Sequence, residues 1–402
     1  MGNINQVPLL RFKEFSDKWK IQQFKNLVKI NQGLQISISE RLLEQEAGSL
    51  FYITNEFLRD NSDKKYFIKN APETVICNKD DVLMTRTGNT GKVVTDVEGA
   101  FHNNFFKISY PEFIDKGFLV NYLKLTTTQN YILRLAGTST IPDLNHSDFY
   151  RINFIFPKLK EQQKIASFLY SVDKKITSLQ KKKTLLEEYK KGIMQKIFSQ
   201  ELRFKDDEGN EYPDWKEKTL KTLLKSYRLG GNYSNSDKIT EKPLIKMGNL
   251  GRGNIKTDKI QYIEDGEVVD SIDIVKEGDL FFNTRNTLEL VGKVAIWRNE
   301  LPLAYYNSNL MKMDFDNNYF MNYRLNSFEG IKGLKRYATG TTSVAAIYTK
   351  DLLKLKLNIP SLEEQAKIAN FLSVIDDKIQ LVNTQIEKTK EFKKGLLQQM
   401  FV

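Results

Sequence analysis

The sequence predicts a mixed α/β (α+β) chain made by duplication: two globular domains separated by two long antiparallel coiled-coil helices, the halves related by a pseudo-two-fold. Three observations carry this expectation. "KEQQKIASFLYSVDKKI", beginning at Lys160, returns as "EEQAKIANFLSVIDDKI", beginning at Glu363. The match runs without a gap between 157–198 and 360–401, with about 18 of some 42 positions identical, a period far longer than that of solenoid repeats. The start of each half recurs as well, as "LRFKEFSDKWK" from Leu10 and "LRFKDDEGNEYPDWKEK" from Leu202, with Trp19 matching Trp215.

In chain order the elements are an N-terminal segment (1–17), a first globular domain (18–156), a first helical region (157–200), a linker (201–211), a second globular domain (212–359) and a second helical region (360–402). The globular segments mix short β-like runs such as "KVVTDV" and "GKVAIW" with helical stretches such as "FLVNYLKL". Pro157 and Pro360 stand where a helix is about to start, a place that tolerates proline. In the first helix Ile165, Leu169, Val172, Ile176 and Leu179 alternate steps of four and three; in the second, Ile368, Leu372, Ile375, Ile379, Val382 and Ile386 keep the same register. That is a heptad seam seeking a helical partner, and the other copy is the obvious one. About 40 residues at roughly 1.5 Å each give a helix around 60 Å long. Lys183 and Lys190 fall on the first seam, Thr389 and Lys393 on the second, where they either fix the register or snorkel to solvent.

Composition narrows the function. A chain of 402 residues with 40% hydrophobic and 11% aromatic content suits about two cored domains. No apolar run approaches the roughly 18 residues of a membrane span, and the N-terminus lacks a signal-peptide core, so the expectation is a cytoplasmic protein with no membrane association. Cys77 is the one cysteine, which leaves no disulfide framework and no cysteine-based zinc site. A formal charge of +11 favours a polyanionic partner.

Catalytic motifs are missing. His102 and His146 have no second ligand cluster beside them, so no metal site is expected. "GNTGK" (88–92) is too short for a phosphate loop, and Val93 stands where a magnesium-binding hydroxyl is required. Asp214 and Glu217 in "PDWKEK" lack the intervening strands of a nuclease, and no Asn-Pro-Pro-Tyr or Asp-Pro-Pro-Tyr stretch of an amino-methyltransferase is present.

Paired polar loops remain. "DVLMTRTGNTGKV" from Asp81 matches "DLFFNTRNTLELVGKV" from Asp279, placing Arg86 and Lys92 opposite Arg285 and Lys293. "AFHNNFFKI" matches "AYYNSNLMKM", pairing Asn103 with Asn307. Thr138 in "AGTSTIPDLN" and Thr341 in "ATGTTSVAAI" sit in loops of small hydrogen-bonding residues. Arg reads guanine, Asn reads adenine and Lys neutralises phosphate, so these residues are candidate contacts to double-stranded DNA; the alternative is an ordinary hairpin with solvated side chains.

With these residues in view the chain resembles, over essentially its whole length, the specificity subunit of a Type I restriction-modification system. The "P-x-L-x-EQ-x-KIA-x-FL" helix start in both copies, the "TRTGNTGKV" and "NTRNTLELVGKV" loops and the alternation of globular segment and helix carry the resemblance. It implies two target-recognition domains, each reading half of a bipartite DNA site. It implies helices that set the spacer and bind two DNA methyltransferase (modification) subunits, with Ile165, Leu169, Ile176, Ile368, Leu372 and Ile379 as the partner-binding positions. Restriction subunits would join through that complex. It further implies a non-catalytic chain without cofactors, S-adenosylmethionine, ATP and magnesium belonging to the partner subunits. The competing readings are a structural coiled-coil scaffold and an adenine methyltransferase with fused recognition domains. The missing catalytic motif speaks against the latter, and the basic charge and paired polar loops against the former.

Overall fold

The computed structural model describes residues 7–59, 62–137 and 140–402. Two compact units divide the chain. One comprises the chain up to Leu179 together with Thr384–Val402; the other comprises Gln180–Asn383. Each unit therefore takes one globular segment and a portion of both long helices.

In the first unit Lys20–Gln23 pairs antiparallel with Asn153–Phe156, closing the globular segment just before the helix begins. One four-stranded antiparallel sheet runs Lys29–Gln32, Phe105–Ser109, Val82–Thr85, Val93–Val94 in spatial order. A second runs Phe67–Ile68, Leu50–Ile53, Gly99–Phe101, Ile76–Cys77, with a parallel pair at its centre. Every residue of Val82–Thr85 is buried because both faces of that strand are covered. Val82 and Met84 join a core with Phe118 and Leu119, while Leu83 faces another with Ile53 and Phe101. The helix Lys116–Lys124 that supplies Phe118 starts at Asp115, whose carboxylate accepts from the Phe118 amide at 2.9 Å.

The second unit repeats the plan. Lys216–Thr219 pairs with Lys356–Ile359. One sheet orders Ser226–Leu229, Leu310–Asp314, Leu280–Asn283, Val294–Ile296; the other orders Asn235–Ser236, Gln261–Ile263, Pro243–Ile245, Tyr305–Tyr306. Leu280 and Phe282 face one core and Phe281 the other, matching the alternation of Val82–Thr85. A three-stranded ribbon of Arg285–Asn286, Ala345–Ala346 and Thr339–Gly340 is added here.

The long helices span Leu159–Phe198 and Leu362–Met400, each starting two residues after its proline. Their seams are where the heptads place them: Val172, Leu179, Ile375, Val382 and Ile386 are all buried. The partner-binding assignment of Ile165, Leu169, Ile176, Ile368, Leu372 and Ile379 is corrected by the same packing. Ile165 and Leu169 lie at 2% and 0% exposure in a core with Trp19, Leu396 and Phe401, and Ile176 packs against it. Ile368 and Leu372, both at 0%, share a core with Ile197, Phe198 and Leu357, with Ile379 against its edge. Ile165, Leu169, Ile368 and Leu372 hold the helices to the chain's own domains and have no surface to offer a partner, while Ile176 and Ile379 stay partly exposed at the edges of those cores.

The polar seam positions divide. Lys183 donates to Asn383 at 2.8 Å and Lys190 to Asp376 at 2.5 Å, so the two helix segments of the second unit run antiparallel. In the first unit Lys393 grips Asp173. These lysines fix register, whereas Thr389 turns back to the Gln385 carbonyl of its own helix.

Each helix start is locked by a buried carboxylate. Glu161, at 2% exposure, accepts from Arg11 at 2.7 and 2.8 Å and from the Trp19 indole at 3.3 Å. Glu364, at 0%, accepts from Arg203 and from Trp215 in the same way. The neighbouring Gln162 and Gln365 donate to the carbonyls of Pro157 and Pro360, which precede the helices and lie outside their ladders. The repeated "EQ" is thus a clamp for the repeated "LRF…W".

Candidate nucleic-acid interface

In the first unit the segment after Val82–Thr85 turns sharply. Gly88, Asn89 and Gly91 have φ of 62°, 66° and 88°, and a Cβ on Gly88 would lie 2.4 Å from the Asn55 amide nitrogen. The Thr85 hydroxyl ties the loop shut by donating to the Asn89 carbonyl at 2.5 Å. The second polar segment docks onto this loop: Thr87 bridges Asp143, Thr90 donates to the Pro142 carbonyl, and the Leu144 amide donates to the Arg86 carbonyl. Arg86 itself pairs with Asp143 at 2.6 Å, with its guanidinium 5.8 Å from the Phe106 ring centre. A side chain so engaged orders the two loops before it meets any ligand. Lys92 donates to the neutral Leu58 carbonyl at 2.9 Å. Asn103 donates to Gln35, and its side-chain oxygen is buried without a partner. Thr138 lies outside the described residues.

The second unit builds the same pairing of loops differently. Arg285–Asn286 pairs with Ala345–Ala346, and the Ile347 amide donates to the Thr284 carbonyl. Arg285 is exposed, with no side-chain hydrogen bond or ion pair to another described residue. Thr341, at the tip of the Thr339–Ala346 hairpin, is exposed and bonds within its own turn. Lys293 lines a cleft of about 1020 Å³ with Lys246, Lys259 and Asn286. Burial first, then the charges of Arg252 and Lys256, push the Lys293 ammonium below its ordinary range. Lys246 is held by the neutral amide oxygens of Asn235 and Gln261, so its charge is oriented but not cancelled. Repulsion from Arg252 and Lys256 favours an anion beside Lys293, in a cleft that Asp237 and Asp258 also line.

The strand register corrects the loop equivalences. Thr85 pairs with Phe105 as Asn283 pairs with Leu310, and Gly91 and Gly292 donate to Thr85 and Asn283. Lys92 and Lys293 are then true counterparts, but Arg86 corresponds to Thr284 and Arg285 is displaced by one residue. The loop from Asn283 to Gly292 (nine steps) is three residues longer than that from Thr85 to Gly91 (six steps). Likewise His102 and Asn307 occupy one position, each donating its amide to the adjacent strand, at Ile53 and Ile245, and Asn103 corresponds to Ser308. Asn307 is buried at 8% exposure with its side-chain oxygen unpartnered. The added residue lies before the "NN" and "SN" pairs, which aligning on the leading alanines conceals.

Arg252, Lys246, Lys256 and Lys259 were not singled out by sequence reasoning. Their signal was "KMGNLGRGNIKTDK" (246–259), a glycine-rich loop with four cations, which has no recognisable counterpart in the other half. Among the described residues no group of three His, Cys, Asp or Glu could hold a metal ion, and no helix is long and apolar enough to cross a membrane.

Comparison with known proteins adds the context. The family model described as Type I restriction modification DNA specificity domain matches twice, over residues 16–188 and 212–391. The chain is 25% identical over 412 residues to the Type I restriction enzyme MjaVIII specificity subunit of Methanocaldococcus jannaschii, covering 98% of this chain and 94% of that one. A putative MjaX specificity subunit from the same organism is 32% identical over 214 residues, covering 51% of this chain and 49% of that one. Among solved structures, the S subunit of a Type-I restriction-modification system from M. genitalium superposes with a TM-score of 0.61 at 15% identity, covering 98% of this chain and 99% of that chain. A chain from a type I R-M system, solved in work on complex assembly and conformational transition, gives 0.52 at 16% identity, with 95% and 97% covered. Both likenesses concern the fold.

Proposed function

Because the chain belongs to the family of Type I restriction modification DNA specificity domains, we propose that it is the DNA-reading subunit of such a system, each globular domain recognising one half of a bipartite target in double-stranded DNA. One observation carries this reading furthest. The two units share a strand plan but present unlike loops: a tight Gly88–Gly91 turn with an anchored Arg86 in one, a longer loop with a free Arg285 beside a basic cleft in the other. A shared scaffold with different reading surfaces is what recognition of two different half-sites requires. Lys92, Lys293 and the cations around the cleft neutralise phosphates, and Arg285 reads a base edge.

The helices set the spacing between readers and dock two modification subunits. Methyl transfer and cleavage are performed by partner subunits, which bring S-adenosylmethionine, ATP and magnesium; the complex works in the cytoplasm. The alternatives, a structural scaffold or a fused methyltransferase, account less well for Lys293 being set beside Arg252 and Lys256.

The test is to exchange residues 18–156 for the equivalent segment of a relative, assemble the complex with its modification subunits and sequence the methylated sites. One half-site should change while the other stays. A change in both halves, or methylation by the purified chain alone, would overturn the reading.

A further inference from the structure

One lysine in the cleft of the second unit is held in place by neutral groups alone. Lys246 follows the strand Pro243–Ile245 and opens the short turn Met247–Asn249, where its backbone amide donates to the Asn249 side chain at 2.9 Å. Asn249, 6% exposed, donates in turn to the carbonyls of Lys256 and Lys259, so this backbone is pinned to the glycine-rich loop. The Lys246 ammonium donates to Asn235 Oδ1 at 2.8 Å and to Gln261 Oε1 at 2.7 Å, acceptors on the strands Asn235–Ser236 and Gln261–Ile263. Both amides are turned so that oxygen faces the lysine: the Asn235 nitrogen donates to the Tyr233 carbonyl and the Gln261 nitrogen to Asp237.

A lysine that only tied three strands together would be served by a carboxylate. Here Asp237 is kept one side chain away, behind Gln261, and among the described residues no carboxylate lies within ion-pair distance of Lys246. An ammonium carries three N–H donors and no acceptor. Two are occupied, and the tetrahedral nitrogen then fixes the direction of the third, in a residue that lines the cleft. The side chain is ordered before a ligand arrives, which removes a cost of binding. A phosphate contact gains little from such aim, because a mobile lysine meets phosphate as a point charge.

The first unit lacks the arrangement at the same register. Ile53 pairs with Phe101 and accepts from the His102 amide, as Ile245 pairs with Tyr306 and accepts from the Asn307 amide. Lys246 therefore corresponds to Thr54, a short side chain at 6% exposure, and Gln261 to Tyr66 on the adjoining strand pair. A feature built into one reader belongs to the sequence that this reader alone meets.

We propose that Lys246 reads a guanine in the half-site of the second unit, donating its third N–H to the O6 or N7 acceptor on the major-groove edge, with Asn235 and Gln261 as positioning residues. Guanine places two acceptors side by side there. Adenine sets N7 beside an amino donor that opposes the ammonium, cytosine shows a donor, and thymine puts a methyl beside its O4. The assignment rests on the DNA-reading function proposed above.

Lys246→Met, Lys246→Arg and Gln261→Met are each assembled with the modification subunits, and the methylated sites are sequenced. The half-site that survives exchange of residues 18–156 should hold a G·C pair. Lys246→Met should admit other bases at that one pair, lowering discrimination there by about tenfold, with the remaining positions and the salt slope of binding unchanged. Lys246→Arg, which also donates to O6 and N7, should keep the guanine. Gln261→Met should relax the same pair, and adding it to Lys246→Met should relax it no further, because the amide acts through the lysine; a merely structural role would lower the melting temperature without touching that position. Gln261→Met, which leaves the lysine in place, decides the matter if Lys246→Met does not fold. A second half-site without a G·C pair, a Lys246→Met complex with every position intact, or a uniform loss of affinity with a salt slope smaller by about one would each overturn the assignment and leave the functional reading standing. A wild-type complex whose methylation follows no bipartite sequence would overturn both.

Discussion

Lys393 donates to both carboxylate oxygens of Asp173, at 2.6 and 2.7 Å, and the duplication sets Lys190 against Asp376 in the same relation. The surroundings of the two aspartates differ. Asp376 also accepts from the Tyr323 hydroxyl at 2.7 Å and from Arg298 at 3.2 Å, so it joins both helices to the globular segment of its unit. Asp173 is 47% exposed, Asp376 20%. Asp376→Ala should cost about 2–3 kcal/mol because three donors lose their acceptor, whereas Asp173→Ala should cost roughly 0–1 kcal/mol. Urea unfolding with hydrogen exchange resolved by segment measures both; equal costs would contradict the account.

The clamps at the helix starts should be costlier to break. Glu161→Ala and Glu364→Ala each strand an arginine and an indole in a nearly closed site, for an expected loss of about 3–5 kcal/mol. Exchange protection should fall first at Trp19 or Trp215 and the opening turn of the matching helix. A loss spread evenly over the unit would argue against a local clamp.

Arg86 and Arg285 should behave differently on DNA. Arg285→Ala is expected to weaken binding by about 1–3 kcal/mol and to relax one position of one half-site. Lys293→Ala should lower affinity uniformly and reduce the salt slope by about one. Arg86→Ala and Asp143→Ala should have similar effects on the other half-site, because either removes the same loop tie. Titrations at several salt concentrations decide this. If Asp143→Ala left recognition intact while Arg86→Ala abolished it, Arg86 would be a direct reader.

His102 provides a pH-dependent signature confined to the first unit. Burial, and after it the charge of Arg41, push its imidazole down to about 4, and the ring nitrogen Nδ1 accepts from the Asn104 amide. A histidine with a folded pKa below its unfolded value of about 6.5 contributes stability above that pH, and the contribution is lost as pH falls toward 4. Corrected exchange at Gly99–Phe101 should accelerate across that window. His102→Asn, which installs the residue that the other unit holds at this register, should remove the pH-dependent component. An identical profile in the variant would assign the effect elsewhere.

The helices and the duplication were legible because their signals are long: a heptad sustained through Ile165–Leu179 and Ile368–Ile386 cannot easily mean anything else. The sheets were legible as a class and not strand by strand, since runs such as Val93–Val94 and Ile76–Cys77 are too brief to show a period. The clamp went unread although its members, Arg11 with Glu161 and Arg203 with Glu364, recur in both halves, because contacts across some 150 residues leave no local pattern. The loop pairing slipped by one residue for a related reason: Arg86 and Arg285 look alike in sequence, and only the ladders ending at Thr85 and Asn283 fix the register. A seam isoleucine or leucine looks the same in sequence whether a partner or the chain's own domain covers it, and for Ile165, Leu169, Ile368 and Leu372 it is the chain's own domain.

Under the proposed function the helices set the spacing between two independent readers. The first unit breaks off at Leu179 and resumes at Thr384, and the second is Gln180–Asn383, so four residues inserted after Leu179 and four after Asn383 lengthen both helices at the boundaries between units. Four residues add close to one turn and roughly 6 Å, while each base pair advances the duplex by roughly 3.4 Å. The measurement is the methylated motif made by this variant in the assembled modification complex. Unchanged half-sites separated by one or two additional base pairs are the predicted result; full activity on the original spacer would contradict it.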